Sequence, residues 1–145
     1  MSIQKLAVHT DIIAEHLTHD GSVPSTLRMV MSKFFCYTTV FNAIELFSIA
    51  RNEQERRSVE HAMNAMKILG LNAKSAVKFG EWAAKSKNVS MLHLLAAGVC
   101  LESRLPLLTS RPPDVRGVKG LRIVHASKVT ATASAAEILS HAIVC

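Results

Sequence analysis

Short apolar runs alternate along the chain with longer stretches in which apolar residues recur at helical spacing. Four of the short runs are rich in leucine, aromatic or β-branched residues and end in polar breaks, as strands do. These predicted strands cover residues 5–9, 34–38, 105–109 and 121–124. The helical spacing predicts helices over residues 10–17, 24–33, 39–50, 52–69, 73–87 and 90–104. Strands separated by helices predict an α/β fold, with a parallel sheet covered on both faces in a three-layer α/β/α arrangement.

The segment over residues 107–124 carries the strongest local signal of a ligand-binding edge. One predicted strand ends in Thr109 and Ser110, a polar break contains Asp114, and a second predicted strand opens after Gly120. Thr109 and Ser110 place hydroxyls and backbone amides at the carboxyl edge of the sheet, where open α/β sheets bind ligands. The same hydroxyls also suit a turn that satisfies its own amides, and Asp114 after two prolines suits a helix cap.

The length of 145 residues fits one domain over residues 1–126, followed by a tail over residues 127–145. The tail is rich in Ala, Ser and Thr and predicts a helix around 133–143, docked on the domain or on another copy of it. The hydrophobic content of 49% and the mean hydropathy of +0.23 are high for one small domain. We therefore expect an apolar surface that is given to a partner, with a two-fold homodimer as the default.

Composition also narrows the possible classes of protein. No run approaches the roughly 18 consecutive apolar residues of a membrane helix, and residues 1–5 lead straight into a strand, so we expect neither a membrane segment nor a signal peptide. Cys36, Cys100 and Cys145 lie in apolar surroundings without metal-binding spacing, which predicts reduced core thiols in a cytoplasmic protein. The net charge of +6 permits an anionic partner such as RNA, and equally suits a solvated basic surface.

Five segments share a pattern of apolar strand ends that run into helix starts. They are 6–13 (LAVHTDII), 38–46 (TTVFNAIEL), 71–76 (LNAKSA), 92–97 (LHLLAA) and 107–115 (LLTSRPPDV), the last followed by a strand, GLRIV, at 120–124. In this order, over roughly residues 4–125, they resemble the PIN-domain nucleases. The resemblance is to the short VapC-like single-domain ribonucleases that form the toxin half of toxin-antitoxin pairs.

The resemblance implies a parallel sheet of four or five strands in the order 3-2-1-4-5, with Val8, Tyr37 and Leu108 on adjacent central strands. It also implies three or four carboxylates at the carboxyl edge of the sheet. In the family they hold one or two Mg²⁺ or Mn²⁺ ions, which activate water for attack on an RNA phosphodiester. The partners that it implies are an antitoxin-like protein and a second copy of the chain.

The chain departs from the family pattern at this acidic site. His9 stands in place of the first aspartate, and Leu92 stands in place of the third acid. Glu45 and Asp114 are the retained metal ligands that the resemblance implies. Asp11, which replaces an asparagine, offers one more carboxylate near the same edge. Leu92 has no metal-binding atom, and His9 favours softer metals than Mg²⁺.

The site residues also have purely structural interpretations. Arg111 stands where the family has asparagine, and a cation there disfavours a metal ion. Glu45 lies on an amphipathic predicted helix, where a single acid is usually solvated. His9 at a strand end suits a hydrogen-bonded structural histidine, and His93 falls on the wrong helical face if Leu92 points inward.

Two hypotheses about function follow. The leading one is a degenerate PIN-like domain without metal-dependent nuclease activity and without a cofactor, which acts as a binding module for RNA or a protein partner. The alternative is an active Mg²⁺- or Mn²⁺-dependent endoribonuclease of the toxin-antitoxin type, with a reduced site of Asp11, Glu45 and Asp114. The first ranks higher because metal affinity falls steeply with each lost carboxylate. Under both hypotheses we expect one cluster at one end of the sheet, formed by His9, Asp11, Glu45, Leu92, Thr109 and Asp114.

Overall fold

The computed structural model describes residues 3–86 and 89–145, which form a six-stranded sheet and seven α-helices. The strands are β1 (Lys5–Val8), β2 (Phe35–Thr39), β3 (Lys67–Leu69), β4 (Leu107–Thr109), β5 (Arg122–His125) and β6 (Ile143–Val144). The helices are α1 (Thr10–Thr18), α2 (Thr26–Met31), α3 (Val40–Ile49), α4 (Glu53–Asn64), α5 (Ala76–Lys85), α6 (Met91–Glu102) and α7 (Ala135–Ser140). In these residues no helix has the length and apolar character needed to cross a membrane.

The sheet has the strand order β3-β2-β1-β4-β5-β6. The first five strands are parallel and follow the predicted order 3-2-1-4-5, which is confirmed. Ala7 is paired with Tyr37 on one side, and Val8 with Leu108 on the other, so the three predicted central strands are adjacent. The prediction of four or five strands missed β6, which pairs antiparallel with β5.

Both faces of the sheet are covered by helices, as the alternating pattern predicts. Leu6 and Val8 of β1 belong to a core cluster that also contains buried residues of α1, α2, α4 and α7. Ala7, between them, belongs to a second cluster with buried residues of α6. Successive strand residues point to opposite faces, so these two clusters lie on either side of the sheet and complete the three layers.

The predicted helix over residues 52–69 is wrong in its last turn. Helix α4 ends at Asn64, and residues 67–69 form β3, in which Lys67 pairs with Tyr37 of β2. The helical spacing of apolar residues continues by chance beyond Asn64. Pairing with β2 determines that residues 67–69 form a strand. The predicted helix over 73–87 begins as a 3₁₀ turn (Ala73–Ser75) before α5, and Lys87 lies outside the described residues.

The tail docks on the chain's own domain. Ile138 of α7 is fully buried in the same core cluster as Leu6 and Val8, and β6 extends the sheet. The Lys33 ammonium donates hydrogen bonds to three tail carbonyls, those of Thr130, Ala131 and Ala133. The predicted helix over 133–143 is shorter than expected, because α7 ends at Ser140 and the chain then turns into β6.

The three cysteines differ in their environments. Cys36 and Cys100 are buried free thiols, and burial raises the pKa of each to about 12. Cys145 is exposed, so the prediction of three core thiols is wrong for this residue. It follows β6, the strand at the edge of the sheet.

Candidate functional site

The carboxyl ends of β1 and β4 place Asp11 beside Thr109 and Ser110. Asp11 lies in the first turn of α1, two residues after His9, which itself follows the last residue of β1. Its Oδ2 accepts hydrogen bonds from the Thr109 hydroxyl at 3.0 Å, the Ser110 amide at 2.6 Å and the Ser110 hydroxyl at 2.5 Å. Three donors on one carboxylate oxygen hold Asp11 across the two neighbouring strand ends.

His9 is buried at the end of β1, with 1% of its surface exposed. Its Nδ1 lies 3.1 Å from Nδ2 of Asn42 in α3. The amide of Asn42 has a defined orientation, because its Oδ1 accepts from the backbone N–H of Thr39, which can only donate. Nδ2 of Asn42 is therefore the donor to His9, and a neutral His9 carries its proton on Nε2.

Burial lowers the pKa of His9 from 6.5 to about 4. The carboxylates of Asp11, Glu45 and Asp114 oppose this shift through their negative charge, and His93 reinforces it. Among these four groups the His93 ring contacts His9 directly, with the two ring centroids 4.9 Å apart. His9 is consequently neutral at neutral pH and contributes a hydrogen-bond donor where the family pattern has a carboxylate.

Glu45 is paired with His93 across the interface of α3 and α6. The two side chains are 3.2 Å apart from Oε2 to Nε2, and the His93 ring meets the His9 ring edge-on at a centroid distance of 4.9 Å. The prediction that His93 falls on the wrong helical face is therefore wrong. Helix α6 is buried around most of its circumference. His93 lies four residues before the buried Ala97 and so shares its face, which points to the protein interior. Leu92, on the neighbouring face, is half-buried.

Asp114 is paired with Arg111 at the outer side of the cluster. Nε of Arg111 lies 3.1 Å from Oδ2 of Asp114, three residues later in the 3₁₀ turn Pro112–Val115. The Asp114 side chain makes this ion pair instead of capping the turn, which has no side-chain cap. The guanidinium supplies positive charge at the place where the family resemblance implies a metal ligand.

The donor set does not fit a resident Mg²⁺ or Mn²⁺ ion. Glu45 and Asp114 are each engaged by a protein side chain, and Asp11 by three donors through Oδ2. Nε2 of His9 and Oδ1 of Asp11 are buried without a hydrogen-bond partner in the described residues. The first is an N–H, and freeing it for a metal would move the proton to Nδ1 and break the bond from Asn42. Among the described residues, no group of three or more His, Cys, Asp or Glu side chains is placed to hold a metal ion.

Side-chain contacts join the predicted residues in three groups. His9 contacts Asn42 and His93, and His93 pairs with Glu45. Asp11 binds Thr109 and Ser110, and Arg111 pairs with Asp114. Sequence reasoning missed the roles of Asn42 and His93, whereas it placed the hydroxyl and amide of Ser110 at this edge. Asn42 had a signal: it follows Thr39 by three residues, and the two form a capping box at the start of α3.

Comparison with known proteins defines the fold. No family model and no curated protein matches the sequence. The chain is similar in structure to VapBC-1 from nontypeable Haemophilus influenzae, with a TM-score of 0.70 and 19% identity over 86% of this chain and 100% of that one. DNA-bound VapBC from Salmonella typhimurium gives a TM-score of 0.69 and 16% identity over 85% and 98%. VapBC-5 from Mycobacterium tuberculosis, a member of the VapBC family of toxin-antitoxin systems, gives 0.55 and 17% over 83% and 98%. The fold of this chain is thus the VapC-like PIN-domain fold.

Proposed function

We propose that this chain is a PIN-like domain of the toxin-antitoxin type that lacks metal-dependent nuclease activity and acts by binding an antitoxin-like protein. The observation that carries the proposal is the internal pairing of the acidic site. His93 engages Glu45, Arg111 engages Asp114, and His9 contributes an N–H in place of a carboxylate. Arg111 places a fixed positive charge beside Asp114, and His93 occupies Glu45, so few carboxylate oxygens are left to hold a divalent ion.

A protein partner is favoured over RNA by the surface of α3. Val40, Ile44 and Phe47 are exposed and recur at the spacing i, i+4, i+7, so they form one apolar stripe, which we call the α3 stripe. Contiguous exposed apolar side chains mark protein contacts, whereas RNA is held mainly through phosphates by cations. The structural relatives include members of a toxin-antitoxin family, which supports an antitoxin-like protein and a second copy of the chain as partners.

The metal question is tested by direct binding and cleavage measurements. We expect the purified chain to show no Mg²⁺- or Mn²⁺-dependent cleavage of a mixed RNA substrate above background, and no saturable Mn²⁺ binding at submillimolar concentration by calorimetry. The double variant His9→Asp with Arg111→Asn supplies the missing carboxylate and frees Asp114. It should bind Mn²⁺ at least about tenfold more tightly, because carboxylate count sets affinity for hard cations.

The matched control is His61→Asp with Arg122→Asn, which makes the same charge change at exposed positions away from the site. This control should bind Mn²⁺ no better than the parent chain. Cleavage by the parent chain that is lost in Glu45→Gln or Asp114→Asn would instead establish the alternative, a metal-dependent endoribonuclease with Asp11, Glu45 and Asp114.

The partner is tested by co-expression with the product of the neighbouring reading frame. We expect the two proteins to co-purify as a stoichiometric complex that persists through size-exclusion chromatography. The variant Ile44→Asp shows which contact uses the α3 stripe. If the stripe mediates self-association, the variant lowers the mass of the free chain. If the stripe binds the partner, the variant disrupts the complex. A free chain that binds RNA tightly and ignores the neighbouring product would contradict the proposal.

A further inference from the structure

A cavity lies at the edge of the sheet that β5 and β6 form, beyond β4 as seen from β1. It has a volume of about 630 Å³, and its walls include Pro112, Arg116, Lys119, Ile123, Ile143 and Val144. We call it the edge cavity. Its volume falls within the roughly 300–1,000 Å³ of typical small-molecule sites. None of the groups that surround His9 lines it, so it is separate from the candidate site described above.

The chain builds the edge cavity from a loop and from the docked tail. Gly117 and Gly120 adopt φ angles of 139° and 95°, a region that favours glycine, and they allow the loop over residues 116–120 to turn before β5. The Gly120 amide donates to the Cys145 carbonyl at 3.0 Å, and the Cys145 amide donates to the Leu121 carbonyl at 2.9 Å. These bonds hold β6 as a wall of the cavity.

The walls combine an apolar interior with a basic rim. Ile123, Ile143 and Val144 come from the paired strands β5 and β6, and Ile123 is also part of the core. Arg116 and Lys119 belong to the loop, and neither forms an ion pair with any residue in the described parts of the chain. Residues 111–128 contain five basic residues and one acidic residue, Asp114, which is already paired with Arg111.

We propose that the edge cavity binds an anionic amphiphile with a single alkyl chain, the chain lying against Ile123, Ile143 and Val144 and the head group beside Arg116 and Lys119. An apolar cavity gains affinity from each buried methylene, and two unpaired cations at its mouth select a negative head group. A nucleotide fits less well, because the imidazole of His125 is the only aromatic ring among the described lining residues, and no larger ring is present for stacking on a base.

Binding is tested on the full chain by calorimetry with straight-chain carboxylates from octanoate to dodecanoate, below their micelle-forming concentrations. We expect saturable binding of one molecule per chain, with affinity rising about threefold to fourfold for each added methylene. The cationic analogue decyltrimethylammonium should bind at least about tenfold more weakly than decanoate. Equal affinity for the two, or binding that does not saturate, would overturn the proposal.

Two variants locate the site. Arg116→Gln with Lys119→Gln should weaken decanoate binding about fivefold, as expected for partly exposed charge contacts. Lys67→Gln with Lys74→Gln removes the same charge from exposed residues of β3 and the turn before α5, and should leave the affinity within about twofold. Ile143→Glu places a like charge in the wall and should abolish binding. This residue is 73% exposed, so the variant is expected to fold.

Vesicles distinguish binding of a free amphiphile from binding to a membrane surface. Vesicles of phosphatidylglycerol and phosphatidylcholine are offered to the same proteins in a sedimentation assay. We expect no co-sedimentation of the parent chain, because Ile143 and Val144 are only two exposed apolar side chains and would bury too little surface in a bilayer to hold the chain there. Co-sedimentation that Ile143→Glu removes, together with no binding of free decanoate, would identify a membrane-surface patch instead and would overturn the proposal.

Discussion

His9 shows how one side chain determines the character of the candidate site. Its Nδ1 accepts from the Asn42 amide, so its proton lies on Nε2. The position therefore presents a buried N–H, which has no hydrogen-bond partner in the described residues, where an aspartate would present acceptor oxygens. Burial, which lowers the pKa of His9 to about 4, keeps the ring neutral through the physiological range.

This pKa predicts a loss of stability in mild acid. The unfolded chain binds a proton on His9 below about pH 6.5, whereas the folded chain does so only near pH 4, so the unfolded state binds more protons between these values. The free energy of unfolding should therefore fall as the pH drops. Protonation of His9 should account for a decrease of about 2 kcal/mol between pH 7 and pH 5. Urea unfolding at the two pH values measures the change.

Two variants assign the effect to His9. His9→Gln lowers stability at pH 7 but should flatten the dependence between pH 7 and pH 5. His61→Gln replaces an exposed histidine of α4 and should leave the slope of the parent chain unchanged. An unchanged slope in His9→Gln would show that His9 is not neutral and buried in the folded state.

At the scale of single elements, the close packing of α5 on α6 depends on a glycine. A Cβ built on Gly98 of α6 would lie 2.6 Å from the Phe79 ring and 2.8 Å from the Trp82 ring, both on α5. Gly98→Ala should therefore lower the free energy of unfolding by about 2 kcal/mol through overpacking. Gly80→Ala, in α5 with nothing within 4 Å of the added carbon, should raise it by about 0.5–1 kcal/mol through helix propensity. Chemical denaturation of both variants measures the contrast, and equal effects would contradict this packing.

The elements also show which features the sequence could predict. The central strands were predictable because a buried parallel strand is a nearly continuous apolar run, as in Leu6 to Val8. Strand β3 lacks that signature, since Lys67 and Ile68 are exposed and only pairing with β2 defines it. In the site, the resemblance indicated the carboxylates and the cation at position 111, but not the partner of Glu45. Pairing of Glu45 with His93 depends on how α3 and α6 pack, which no local pattern encodes.

At the scale of the whole molecule, the α3 stripe predicts self-association. Ile44, at its centre, is 48% exposed, and the docked tail leaves the stripe uncovered. We expect a dimer at tens of micromolar by sedimentation equilibrium, an order of magnitude chosen for an interface of ordinary affinity. Ile44→Asp should sediment as a monomer. Val77→Asp, at a 75% exposed position of α5, should remain dimeric, and a monomeric parent chain would contradict the prediction.

The docked tail also affects how readily the chain aggregates. A sheet edge with unpaired amides and carbonyls can join the sheet of a neighbouring molecule and start aggregation, and short edge strands limit this risk. In the described residues the edges are β3 and β6, with three and two residues, whereas β5 beneath β6 has four. The Lys33 ammonium secures the start of the tail. We therefore expect acetylation of Lys33 to loosen the tail, uncover β5 and promote aggregation while the rest of the domain is still folded.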